Sequence, residues 1–181
     1  MNKTKKAINK AFFEVLETKP LNKITISDIV KKCNVGRNTF YYHFKDIHDL
    51  EKYSVNEWYN VMMEKRGDLS SPVESVMPII REMILHQNAY RNIYESNHRS
   101  SFILNLKQVC EHMFIAYIDA LVSDGIVSAE NRDNFIRFSK CALTGVIADW
   151  FDEGMSYDLI EFCNAICSAI LAATNNVSLN K

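Results

Sequence analysis

Apolar side chains return every three or four positions along most of the chain, and no apolar/polar alternation is long enough to require a sheet, so the pattern predicts an all-α fold. Ala7, Ile8, Ala11, Phe12, Val15 and Leu16 make the stripe of a first helix. Ile26, Ile29, Val30 and Cys33 predict a second helix from about Ile26 to Cys33, with Ser27, Lys31 and Lys32 outside. Thr25 precedes it as an N-cap, and Asp28 supplies an Asp-containing version of the capping box. Asn34 stands where the chain must turn, and Asn accepts the left-handed conformation that ends a helix. Val35 plugs the turn, and Gly36 opens a third helix through about Tyr42, with Phe40 and Phe44 inward.

Two helices this short need a third to hold them, and their arrangement across a tight turn predicts a helix-turn-helix whose second helix enters the major groove. Arg37, Asn38, Thr39, Tyr41, Tyr42 and His43 are left to face outward. Arginine bonds bidentately to guanine, asparagine to adenine, and a threonine methyl touches a thymine methyl, which makes Arg37, Asn38 and Thr39 the base-reading candidates. Tyr41, Tyr42, His43 and Lys45 suit the phosphates on either side, and the free amides opening each helix place Thr25 and Ser27 beside the backbone.

Beyond this region the periodicity predicts a linking helix from about Asp46 to Arg66, broken at Gly67, Ser70, Ser71 and Pro72. Further helices are expected over 72–87, 90–96, 101–123, 130–153 and 157–174, with Ser128 and Ser156 as caps and Gly125 and Gly154 as stops.

The run from Thr25 to Leu50 resembles the DNA-binding signature of the TetR/AcrR family of bacterial transcription regulators: Thr25, Ile29, Val35, Thr39, Tyr41, His43, Phe44 and Leu50 match at the family's spacing. Three positions depart from it. Asn34 replaces the turn glycine, Gly36 replaces a serine that could cap and touch phosphate, and Ile47 replaces a lysine that in the family contacts phosphate. Losing that contact should weaken DNA binding, with Lys45 and His48 as partial substitutes.

The resemblance implies a helix-turn-helix DNA-binding domain over 1–48, joined by the linking helix to a helical regulatory and dimerisation domain over 49–181. It implies a dimer on an inverted-repeat operator in double-stranded DNA, repression, and release by a small-molecule effector. Pocket candidates are Trp58, Met62, Met83, His86, Tyr90, Phe114, Tyr117 and Trp150, of which His86, Tyr90 and Tyr117 would orient a ligand. By analogy with the family's four-helix dimer bundle, Ala142, Val146, Ile147, Trp150, Ile166 and Ile170 would line the interface. The alternatives are an activator or co-activator, or a protein-interaction module on the same fold with weakened DNA binding, to which Gly36 and Ile47 give weight.

Charge sharpens the division of labour. Residues 1–45 hold ten Lys or Arg against three Asp or Glu, a net of +7, whereas residues 46–181 hold a net of −8. Lys3, Lys5, Lys6 and Lys10 lie on or before the first helix, and sharing a domain with the reader favours phosphate contact by Lys3, Lys5 and Lys6.

Other chemistry is sparse. Five cysteines with no C-x-x-C pair fit neither a disulfide framework nor a zinc site, and Cys163 and Cys167 are expected to be small buried side chains on one helix face. The five histidines are scattered; His112 with Glu111, or His86 near Glu82, is better explained as exposed helical polar residues than as an acid-base or metal pair. No catalytic signature appears, so neither an enzyme nor a cofactor nor a metal is expected. With no apolar run near twenty residues and no signal core in MNKTKKAINK, the expected location is the cytoplasm, away from any membrane.

Overall fold

The computed structural model describes residues 3–65 and 69–178, from residue 170 onward as backbone only. All regular structure among them is helical: α1 (Lys3–Leu16), α2 (Ile26–Lys32), α3 (Arg37–His43), α4 (Ile47–Glu64), α5 (Pro72–Leu85), α6 (Gln87–Tyr94), α7 (Arg99–Ser123), α8 (Arg132–Asp152) and α9 (Leu159–Ser178). Single 3-10 turns occupy Leu21–Lys23 and Ala129–Asn131. The expected break at Gly67 falls outside the described residues, and the helix after it is capped by Ser71, whose hydroxyl accepts from the Glu74 amide at 3.1 Å.

The chain forms two compact units, one of residues 1–64 with 82–105 and the other of 65–81 with 106–181. In the first, α1 is the central element, packing against α2, α4 and α6. Ile8, Phe12 and Leu16 are at most 1% exposed, whereas Ala7, expected on the same stripe, faces solvent. Polar contacts fix the far side of α1: Asn92 donates to the Leu16 carbonyl at 2.7 Å, His86 Nδ1 lies 2.9 Å from Glu17, and the Phe13 ring meets Tyr90 edge-on at 5.8 Å.

In the second unit, Ile136, Leu143, Ile147, Trp150 and Phe151 of α8 are buried. Gly125 and Gly154 take positive φ of 71° and 66° where their helices end, as expected of glycine stops. The cap of α9 is not Ser156 but Asp158, whose carboxylate accepts from the Ile160 and Glu161 amides at 2.9 Å. Ser128 precedes the 3-10 turn with extended backbone, but its side chain accepts no cap bond from the turn's amides. Cys163 and Cys167 are half-buried, and burial pushes the Cys163 thiol up to about 11, the behaviour of packing residues.

Candidate nucleic-acid interface

The helix-turn-helix is assembled by local bonds that follow from residue type. Thr25 Oγ1 accepts from the Asp28 amide at 3.3 Å, and the Asp28 carboxylate accepts from the Thr25 amide at 2.7 Å, completing the reciprocal box. Lys19 Nζ reaches the same carboxylate at 2.6 Å, and these bonds, the lysine's first, hold Asp28 down at about 2. Asn34 takes φ 54°, ending α2 as predicted, and the Val35 amide returns to the Val30 carbonyl at 3.0 Å.

Phe40 and Phe44 anchor α3 inward at 0% and 1% exposed, their rings 5.8 Å apart. The opposite side of the helix displays Arg37, Asn38, Tyr41 and Tyr42, with Tyr42 83% exposed, while Thr39 and His43 are half-buried. Tyr41 is 56% exposed, so both phenol rings and their hydroxyls are open to a partner. Arg37 donates to the Ser27 hydroxyl, so the leading base-reading candidate rests on α2 and the two helices share one polar edge. Thr25, although exposed, has its hydroxyl committed to the capping box.

Two basic residues depart from expectation. Lys5 does not extend into solvent: its ammonium lies 4.2 Å from the centroid of the Tyr53 ring and 5.2 Å from that of Phe44, a cation–π clamp that joins α1 to the reader and to α4. His48, considered as a substitute for the missing family lysine, turns instead to Glu51, with Nδ1 3.2 Å from its carboxylate. Lys3, Lys6 and Lys45 are exposed. Asp46 caps α4 through the Asp49 amide at 2.8 Å, and Asp49 accepts from the Lys45 amide at 3.0 Å, so the half-buried Ile47 enters the helix between two carboxylates.

The residues expected to line an effector pocket are distributed over both units. Trp58, Met62, Met83, His86 and Tyr90 belong to the first, and Phe114, Tyr117 and Trp150 to the second. Trp58 and Tyr90 line an apolar cavity of about 30 Å³ with Phe12, Ile93 and Phe102, space for a water or two rather than for a drug-sized molecule. Trp58 and His86 also line an open groove of about 560 Å³ along α1. Met62 and Met83 are fully buried and are not among the residues lining either space. The two polar members there already have partners: His86 pairs with Glu17, and the Tyr90 hydroxyl donates to Glu82 at 3.2 Å. Burial, with Glu82 beside it, raises Tyr90 well above the ordinary phenol range. Trp58 Nε1, by contrast, is buried without a hydrogen-bond partner, which is costly for an indole N–H.

On α8 and α9 the expected interface set divides. Ala142 and Ile166 are exposed and Val146 is half-buried, but Ile147 and Trp150 are 0% and 3% exposed and serve their own unit's core. The cause for Trp150 is a bond: its Nε1 donates to the Tyr157 carbonyl at 3.0 Å, turning the ring inward. The side chain of Ile170 lies outside the described residues. The exposed apolar stripe of α8 instead runs through Phe135, Phe138, Ala142 and Gly145, joined on α9 by Phe162 and Ile166. Spacings of three, four and three along α8 mark that stripe in the sequence, but they are indistinguishable there from the inward one.

A reader helix held on a buried aromatic pair, followed by a long helix and an all-helical remainder, defines a helix-turn-helix regulator. Residues 8–51 match the model of bacterial regulatory proteins of the tetR family, and residues 72–171 match that of a transcriptional regulator C-terminal region. The chain belongs to the TetR family of bacterial transcriptional regulators. It is 20% identical over 132 residues to the dhaKLM operon transcriptional activator DhaS of Lactococcus lactis, a match that covers 73% of this chain and 65% of that protein. Among solved structures, the dihydroxyacetone kinase operon activator DhaS has a TM-score of 0.74 at 19% identity, covering 94% of this chain and 96% of its own. The fatty acid degradation regulator FadR from Bacillus halodurans has a TM-score of 0.69 at 15% identity, covering 93% and 94%. The multidrug efflux pump repressor NalD of Pseudomonas aeruginosa has a TM-score of 0.54 at 18% identity, covering 87% and 88%. At these identities the structural likeness is one of fold. Among the described residues no helix is long and apolar enough to cross a membrane.

Proposed function

We propose that the chain binds an inverted-repeat operator as a homodimer, with α3 of each subunit in the major groove, and represses transcription by occupying it. The observation that carries this reading is the two-sidedness of α3: Phe40 is buried while Arg37, Asn38, Tyr41 and Tyr42 are displayed. Arg37, Asn38 and Thr39 read bases, and Ser27, Tyr41, Tyr42, His43 and Lys45 hold phosphates, with Lys3 and Lys6 adding charge from α1. In this reading residues 1–48 are the DNA reader and 49–181 carry regulation and dimerisation. Two readers about 34 Å apart match one turn of the duplex. The dimer forms through the exposed stripe of α8 and α9, centred on Phe138, which is 71% exposed.

A small-molecule effector releases the operator by entering beneath Trp58. The unpartnered indole N–H favours an acceptor-bearing apolar ligand, which must enlarge the 30 Å³ cavity to bind. That coupling of space to conformation is what an effector needs in order to prefer one state.

Activation is the second reading, favoured by the similarity to DhaS, which is described as an activator. Fluorescence polarisation against inverted-repeat promoter fragments at several salt concentrations tests DNA binding. Specific, salt-sensitive binding weakened by Arg37→Ala is expected; absent or salt-insensitive binding to every candidate fragment would favour an interaction module. A promoter–reporter fusion in cells with and without the protein then separates the signs, because repression requires output to rise on deletion.

A further inference from the structure

Beyond DNA binding, and independent of it, we propose that His48, Glu51 and His98 form a binding site for a borderline divalent metal ion of the Zn(II) class. Among the described residues these side chains make the one group of three whose ligand atoms all lie within 4.8 Å of one another. His48 and Glu51 sit one turn apart at the start of α4, and His98 immediately precedes α7; all three belong to the first compact unit.

The geometry is near that of a coordination sphere. His48 Nδ1 lies 3.2 Å from one Glu51 oxygen, and His98 Nδ1 lies 3.1 Å from the other. Tetrahedral ligands at 2.0–2.1 Å from a zinc ion are separated by about 3.3 Å; both His–Glu pairs are at that spacing, and the two imidazoles lie within 4.8 Å of each other and must close to it. The carboxylate either binds through both oxygens or turns about its last torsion to present one. The His48 and His98 rings are 5.3 Å apart and tilted at 44°.

Burial and donor chemistry set the ion. Glu51 is only 8% exposed and each of its oxygens faces one imidazole, so a cation held between the three groups meets a carboxylate with little water competing for it. Two imidazoles and one carboxylate suit Zn(II), Co(II), Ni(II) or Cu(II), whereas Mg(II) and Ca(II) prefer all-oxygen sets. Three protein ligands leave a fourth position for water, and all three line an open groove of about 440 Å³ to which Ser101 and Asn105 add polar groups. Lys52 lines the same groove but is exposed and can swing its ammonium into solvent. An ion here ties the segment before α7 to the first turn of α4, the helix that leaves the reader.

Co(II) titration of the tag-free, chelator-treated full chain tests the site. Expected is one equivalent of Co(II) with a tetrahedral ligand-field spectrum, displaced by Zn(II), and at least about tenfold weaker in both His48→Gln and His98→Gln. Zn(II) should also raise the melting temperature of the unmodified chain and not of the variants. X-ray absorption of the Co(II) form checks the ligands without any substitution and should show a nitrogen and oxygen shell containing imidazole. No saturable binding, equal binding by both variants, or sulfur in the shell, which would place the ion on the cysteines, would overturn the proposal.

Discussion

At the residue scale, single side chains in the reader have separable duties. Arg37 is exposed and hydrogen-bonds only as far as Ser27 of the neighbouring helix, so its removal leaves the Phe40 and Phe44 anchor intact. Arg37→Ala should cost about 1–3 kcal/mol of operator affinity and relax the preference at one base position, as measured by competition with single-base operator variants. Lys45→Ala should weaken binding uniformly across sequences and lower the salt slope by about one. Asp28 is different, because its role is in folding. Its carboxyl is held at about 2, below its ordinary value of 3.8, by the Lys19 hydrogen bond and then those from Thr25. A depressed folded value means the stabilisation is complete above about pH 4 and is lost as pH falls through about 2. In Asp28→Asn the acid limb of a denaturant-midpoint against pH curve should become shallower in that window; an unchanged limb would remove this carboxylate from acid unfolding.

At the element scale, the contrast between what could and could not be read from the chain is one of range. The box of Thr25 and Asp28, the left-handed Asn34 and the inward pair of Phe40 and Phe44 involve residues at most four or five apart, and the structure contains each of them. Trp150 lies on the inner side of α8 rather than on the interface side that the family analogy implies, because its Nε1 bonds a carbonyl beyond the helix end, at Tyr157. The approach of His98 to Glu51 depends on the packing of α4 against the segment before α7, across 47 positions of sequence, and no local pattern encodes it. Two elements, α3 and α4, have starts that a single substitution can improve. Gly36 caps α3 with φ −79° and no side-chain bond, and a Cβ there would meet nothing closer than Thr39 Oγ1 at 3.9 Å. Gly36→Ser should therefore fit, stabilise the chain by a few tenths of a kcal/mol, and tighten operator binding through one added hydroxyl. Ile47→Lys places a cation at the first position of α4 between Asp46 and Asp49. It should steepen the plot of log affinity against log salt by about 0.9 if the new ammonium reaches phosphate, and leave the slope unchanged if those two carboxylates retain it.

For the molecule as a whole, the uneven charge and the exposed apolar stripe describe opposite ends of one assembly problem. The +7 carried by residues 1–45 provides affinity for any duplex, but one reader helix contacts too few base pairs to select a site in a genome. Selection requires two readers at fixed spacing, and the surface proposed above to fix them is the exposed stripe of Phe135, Phe138, Ala142, Phe162 and Ile166. Phe138 is the informative position because it is 71% exposed, so a charge there disturbs no core of the isolated chain. Phe138→Glu should preserve helicity and the melting profile at low concentration while weakening self-association by a hot-spot amount, about 2 kcal/mol or roughly thirtyfold. Sedimentation equilibrium reads that change directly. Operator binding should then fall with the dimer population, and its dependence on protein concentration should become second order, whereas binding to a single half-site should change little. A Phe138→Glu chain that remained dimeric, with full operator affinity, would require the two readers to be joined through another surface.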